Sequence, residues 1–157
     1  MRRKKLAHPR QNVNVRPGGQ TASGGLKKPY MQDKHLFEYA VIRVVPRVDR
    51  EEFLNVGVVL YCPKQKYLEL MYTLDPSRLK AIAPGLDLEE LESHLHAFSE
   101  VVRGGASGGP IGQLDVASRF RWLTAQRSTI LQTSKVHPGF CSQPAEALKR
   151  LHAALVL

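Results

Sequence analysis

Residues 37–62 hold two β-rich runs on either side of one charged turn, and this stretch limits the fold more than any other. The first run is rich in Val, Ile, Tyr and Phe and stops at Pro46, which has no N–H to give to a ladder. The second runs from Phe53 to Cys62 and stops at Pro63. Arg47–Glu52 between them is too polar to be buried, so the pair reads as an antiparallel hairpin at the centre of a sheet. The first strand, residues 36–45, is largely apolar on both faces, which predicts cover on both sides. The second is expected to place Leu54, Val56, Val58, Leu60 and Cys62 on one face. A hairpin symmetric about Asp49 sets Arg43 opposite Asn55 and Val41 opposite Gly57. Arg43 and Asn55 are thereby a candidate polar pair, and a slip of one residue would send them to different faces.

A third strand, 67–73, follows the Pro63–Lys66 turn as a meander. Arg78–Ala83 reads as a short helical stretch. Asp87-Leu-Glu-Glu90 resembles a capping box, and Leu88, Leu91, Leu95, Phe98 and Val102 follow at helical spacing. The opposite face of that helix is acidic: Glu89, Glu90, Glu92 and Glu100. Residues 104–112 read as a glycine-rich loop, 116–126 as a helix, 129–133 as a short strand and His137-Pro-Gly139 as a turn. A last helix starts near Pro144, a residue suited to the first turn. The expected fold class is α+β: an antiparallel sheet of about four strands built on the meander, with about three helices packed on it. Residues 36–157 are expected to form one domain, and an apolar fraction of 43% suffices for a core.

The net charge of +9 belongs mostly to one end. Residues 1–35 carry nine Lys or Arg and one acid, Asp33. They read as a disordered basic tail without packing contacts, or as sequence upstream of an alternative start at Met31. A basic arm for nucleic acid is the functional reading of the same stretch. Within the fold the charge is split: residues 36–100 hold seven basic and 11 acidic residues, and 101–157 hold seven and two. No apolar run reaches the ~20 residues that span a bilayer, and Arg2–Lys5 is followed by His8 and Pro9 rather than by an apolar signal segment. Two cysteines, Cys62 and Cys141, make no disulfide framework, so a cytoplasmic setting is expected.

Several patterns that suggest chemistry fail on their spacing. The 104–112 loop lacks both phosphate-loop fingerprints and follows a helix where those motifs require a strand. His94 and His96 lie roughly 200° apart around a helix and cannot share a metal, and no Cys or His cluster joins them. Asp49, Glu51 and Glu52 fit a solvated turn better than paired acid and base catalysts. No metal and no cofactor is expected, and the missing acid/base constellation leans against an enzyme. The most site-like stretch is basic and hydroxyl-rich. Arg119, Arg127, Ser134, Lys135 and His137 are candidate anion ligands, and Trp122 is a candidate surface for stacking a base. The competing reading gives these arginines to solvent or to the acidic helix 87–103.

Tyr39-Ala-Val-Ile-Arg-Val-Val-Pro46 with Glu52-Phe-Leu-Asn-Val-Gly-Val-Val-Leu-Tyr61 resembles the opening of a bacterial family, domain of unknown function 3037. Arg119-Phe-Arg-Trp-Leu123, Arg127-Ser-Thr129 and His137-Pro-Gly139 are similar to that family's second half. The resemblance covers roughly 36–157 and carries no catalytic residue with it. Members are often encoded beside a HipA-like Ser/Thr kinase, which implies an accessory or regulatory protein partner. The alternative is a nucleic-acid or nucleotide module using residues 119–137.

Overall fold

The expected meander forms antiparallel strands β1 (His35–Val44), β2 (Leu54–Cys62) and β3 (Tyr67–Tyr72). The computed structural model describes residues 33–157, and the expectations for the basic tail and for Met31 lie outside the described residues. Single helical turns, Val48–Arg50 and Pro63–Gln65, make the two connections. Two more strands, β4 (Leu131–Thr133) and β5 (His137–Cys141), both pair with the free side of β1. Among the described residues the sheet therefore has five strands, not four, in the order β3-β2-β1 with β4 and β5 sharing the far edge.

The turn expected at His137-Pro-Gly139 is instead the start of β5. Proline is tolerated there because β5 is an edge strand and Pro138 falls between the positions that bond β1. Gly139 lets the Phe37 ring lie directly on the strand, where any Cβ would overlap it. Between β4 and β5 one residue is extra: Ser134–Val136 spans the gap that β1 crosses with Ala40 and Val41. Ser134 repairs the break. Its N–H donates to Val41 O at 2.8 Å, its Oγ accepts from Val41 N–H at 2.9 Å and its hydroxyl donates to Lys135 O at 2.8 Å. Ser134→Ala should strand the buried Val41 N–H and lower stability by about 1–3 kcal/mol. Chemical denaturation measures the loss, and faster hydrogen exchange at Val41 would locate it.

A second extra residue, Val56, lies between the pairs Ile42–Gly57 and Arg43–Asn55. The Arg43–Asn55 register is as expected, whereas Val41 faces Val58 and not Gly57. The bulge also swaps the faces of β2. Val56, Val59 and Tyr61 point into one core, and Val58, Leu60 and Cys62 into the other, so the single apolar face expected for this strand does not exist.

Helices cover both sides of the sheet. On one lie α1 (Pro76–Ile82), α2 (Leu88–Arg103), the single-turn α3 (Gly109–Gly112) and α4 (Val116–Leu123). Their core includes Ile42, Val44, Leu79, Leu91, Leu95, Phe120 and Leu123. On the other lies α5 (Pro144–Leu155), packed on Phe37, Leu60, Cys62 and Cys141. Both cysteines are buried and free. Among the described residues there are five helices rather than about three: the short helical stretch expected at 78–83 forms a helix over Pro76–Ile82, and part of the glycine loop is also helical. Asp87 caps α2, accepting from the N–H groups of Glu89 at 3.0 Å and Glu90 at 3.1 Å. The Glu90 carboxylate turns to His94, 3.7 Å away, rather than back to complete a capping box.

Candidate functional site

The five anion-ligand candidates do not converge. Arg119 extends from α4 to the carboxyl end of α2, whose last carbonyls have no partner inside the helix. Its Nη1 donates to Val101 O at 2.9 Å and Val102 O at 2.5 Å, and its Nε donates to Leu114 O at 3.2 Å. The guanidinium crosses so close to Gly104 that a Cβ there would stand 2.8 Å from Nη1. Arg127 does the same for α4. It donates to Leu123 O at 3.0 Å and to Trp122 O, and its Cζ stacks 4.3 Å from the Trp122 ring centre. Burial pulls its pKa down from the usual arginine value. Trp122 thus presents one face to Arg127, and its ring meets Phe98 edge-on at 6.1 Å. Ser134 is consumed by the break in the sheet, Lys135 is exposed, and His137 packs beside Tyr39 at 5.3 Å.

The expected pairing of these arginines with the acidic face of α2 is also absent. Glu100 is held below its usual pKa first by the Ser107 hydroxyl and then by Arg103. Arg121 bonds Glu38 at 2.8 Å. Helix carbonyls outcompete the carboxylates because they are fixed, unpaired acceptors beside the arginine stems. The one sequence hint was Arg127 lying four residues past Leu123, a position from which a basic side chain reaches back to a helix end.

Arg43 is different. It leaves β1 on the α5 side, opposite Asn55 across the Val56 bulge, and its Cζ lies 4.0 Å over the Phe53 ring. Asn55 Nδ2 donates to Leu155 O at 3.1 Å and ties down the end of α5. The Arg43 Nε and the Asn55 Oδ1 are both buried with no hydrogen-bond partner. A cleft of about 310 Å³ opens here, lined by Arg43, Val45, Val48, Glu51, Phe53, Gln132 and Thr133. The neighbouring arginines are neutralised locally, Arg47 by Asp49 at 2.6 Å and Arg50 by Glu52 at 2.5 Å. Among the described residues, Arg43 has no such carboxylate partner.

At the opposite end of β1, Leu36 and Phe140 face each other across β1 and β5 and are 47% and 66% exposed. Glu38, the next residue along that face, is bonded to Arg121 of α4, so the sheet runs on past its helical cover. Among the described residues no cluster of three or more His, Cys, Asp or Glu is placed to hold a metal, and no helix is long and apolar enough to cross a membrane.

Comparison with curated proteins and with solved structures gives no match. A family model does match, over residues 39–156, a span that contains Arg43, Asn55, both bulges and both arginine caps. The chain belongs to the family described as "Protein of unknown function (DUF3037)".

Proposed function

We propose that this protein is a non-catalytic accessory or regulatory partner of another protein, and that the partner is the HipA-like Ser/Thr kinase the family resemblance implies. The observation that carries this reading is the Leu36–Phe140 pair. Two large apolar side chains stand side by side at one end of the sheet, and among the described residues much of their surface is left exposed. Such a patch is favourable once a partner removes it from water. A nucleic-acid or nucleotide module built on 119–137 has less support, because its arginines are bonded to backbone carbonyls.

The test is co-purification with a HipA-like kinase from the same genome. Phe140→Asp should weaken the complex at least about tenfold, as expected for an aromatic anchor, while leaving the melting temperature unchanged. Unaltered binding by this variant, or no complex with the kinase at all, would overturn the proposal. Salt-sensitive binding of duplex or single-stranded nucleic acid would favour the alternative.

A further inference from the structure

We propose that the Arg43 cleft binds a small oxyanion, a carboxylate or a phosphate monoester, that carries an apolar substituent. Arg43 is a half-buried cation that packs on an aromatic face but meets no anion among the described residues. Partial burial strips some hydration from the charge without supplying a counter-charge, and the cation–π contact with Phe53 offsets part of that. Around it, Arg47 pairs with Asp49 and Arg50 with Glu52, and Glu51 lines the same cleft without an ion pair to Arg43. The fold has thus kept one guanidinium out of the charge pairing of the turn.

The cleft has the shape and chemistry of a small-ligand site. Its volume of about 310 Å³ lies at the low end for such sites. Val45, Val48 and Phe53 supply an apolar wall, and Val48 and Phe53 are each 46% exposed. Gln132 of β4, paired with Arg43, adds a polar side chain on the other wall, which Thr133 also lines. With one guanidinium face covered by Phe53 and Nε buried, the Nη1–Nη2 edge is the part left for a ligand. That edge is a fork matched to two oxygens of one carboxylate or phosphate. Glu51, at the mouth, opposes an anion and sets a ceiling on affinity. This site is separate from the Leu36–Phe140 patch and does not depend on the protein-partner reading.

The experiment uses the full chain labelled with ¹⁵N-arginine. The Arg43 Nε–H resonance is followed while sodium benzoate and, separately, phenyl phosphate are added at constant ionic strength, with chloride as control. The expected result is a saturable shift with at least one of the two, and the tighter one names the oxyanion. Arg43→Met, in a uniformly ¹⁵N-labelled sample, should weaken binding, read from the Thr133 amide, at least about tenfold. Glu51→Gln should tighten it severalfold by removing the opposing charge. Should Arg43→Met not fold, the Glu51→Gln comparison decides alone. No saturable shift with either compound, unchanged affinity in Glu51→Gln, or an Arg43 Nε–H bonded to Asn55 Oδ1 and indifferent to both ligands would overturn the proposal.

Discussion

Arg119→Ala is expected to cost about 3 kcal/mol of folding stability. The guanidinium bonds the carbonyls of Val101, Val102 and Leu114, and in doing so joins the end of α2 to the start of α4. Hydrogen bonds to a charged donor contribute about 1.5–3 kcal/mol each, and part-buried acceptors left behind add their own desolvation cost. Partial exposure of Arg119 trims that total. Had the side chain merely faced a surface glutamate, the loss would be about 0.2–1 kcal/mol. Urea denaturation separates the two cases, provided the slope m is unchanged. Arg119→Lys should recover little, since one ammonium cannot span three carbonyls set for a planar fork. A loss below about 0.5 kcal/mol, within the range of an ordinary surface substitution, would refute the capping role.

Gly57→Ala should be comparably damaging, at about 3 kcal/mol. Gly57 lies on β2 between β1 and β3, beside the Val56 bulge. A Cβ there would meet Met71 O at 2.8 Å, Tyr72 Cβ at 2.9 Å and Ile42 Cδ1 at 3.3 Å. Only the last belongs to the tip of a side chain that can rotate. The other two are fixed by the β2–β3 ladder, so the strands themselves must move apart. Overpacking a filled interior costs about 1–3 kcal/mol and sometimes more. Gly85→Ala is the matched control: its Cβ would meet nothing within 4 Å, and a small gain from a less flexible unfolded chain is expected. Thermal unfolding of the two variants against the parent tests the contrast, and equal melting temperatures would show that the sheet yields at Gly57.

What was legible in the sequence followed periodicity. The meander and the 88–103 helix announce themselves through repeats of two and of 3.6 residues. Both bulges escaped, because an extra residue leaves the residue types unchanged and alters only which face each one takes. Gly57 was the available signal, since a glycine within a strand marks a bulge or a close backbone approach. Pro138 misled for a related reason: the same residue stops an inner strand and fits an edge one, and only the pairing of β5 tells them apart. The arginines of 119–137 were found, but their bonds to helix carbonyls were not foreseen. A guanidinium suited to phosphate is equally suited to a helix's carbonyl end, and residue type does not distinguish the two. Arg43 and Asn55 were legible as a pair. The cleft beside them was not, since it needs β4 for its second wall.

The central place of β1 has a consequence for how the chain is made. Its β2 neighbour follows after one short turn, but its other neighbour arrives much later: Val41 and Ser134 are 93 residues apart. As the polypeptide leaves the ribosome, the hairpin has its partner at once, while the second edge of β1 stays bare until β4 and β5 have been synthesised. At about 5–20 residues per second that wait lasts several seconds or longer. Pairings so distant in sequence also close slowly. Residues 36–45, almost all apolar, are therefore the segment a chaperone would hold during synthesis, and the segment through which nascent chains would aggregate if it did not.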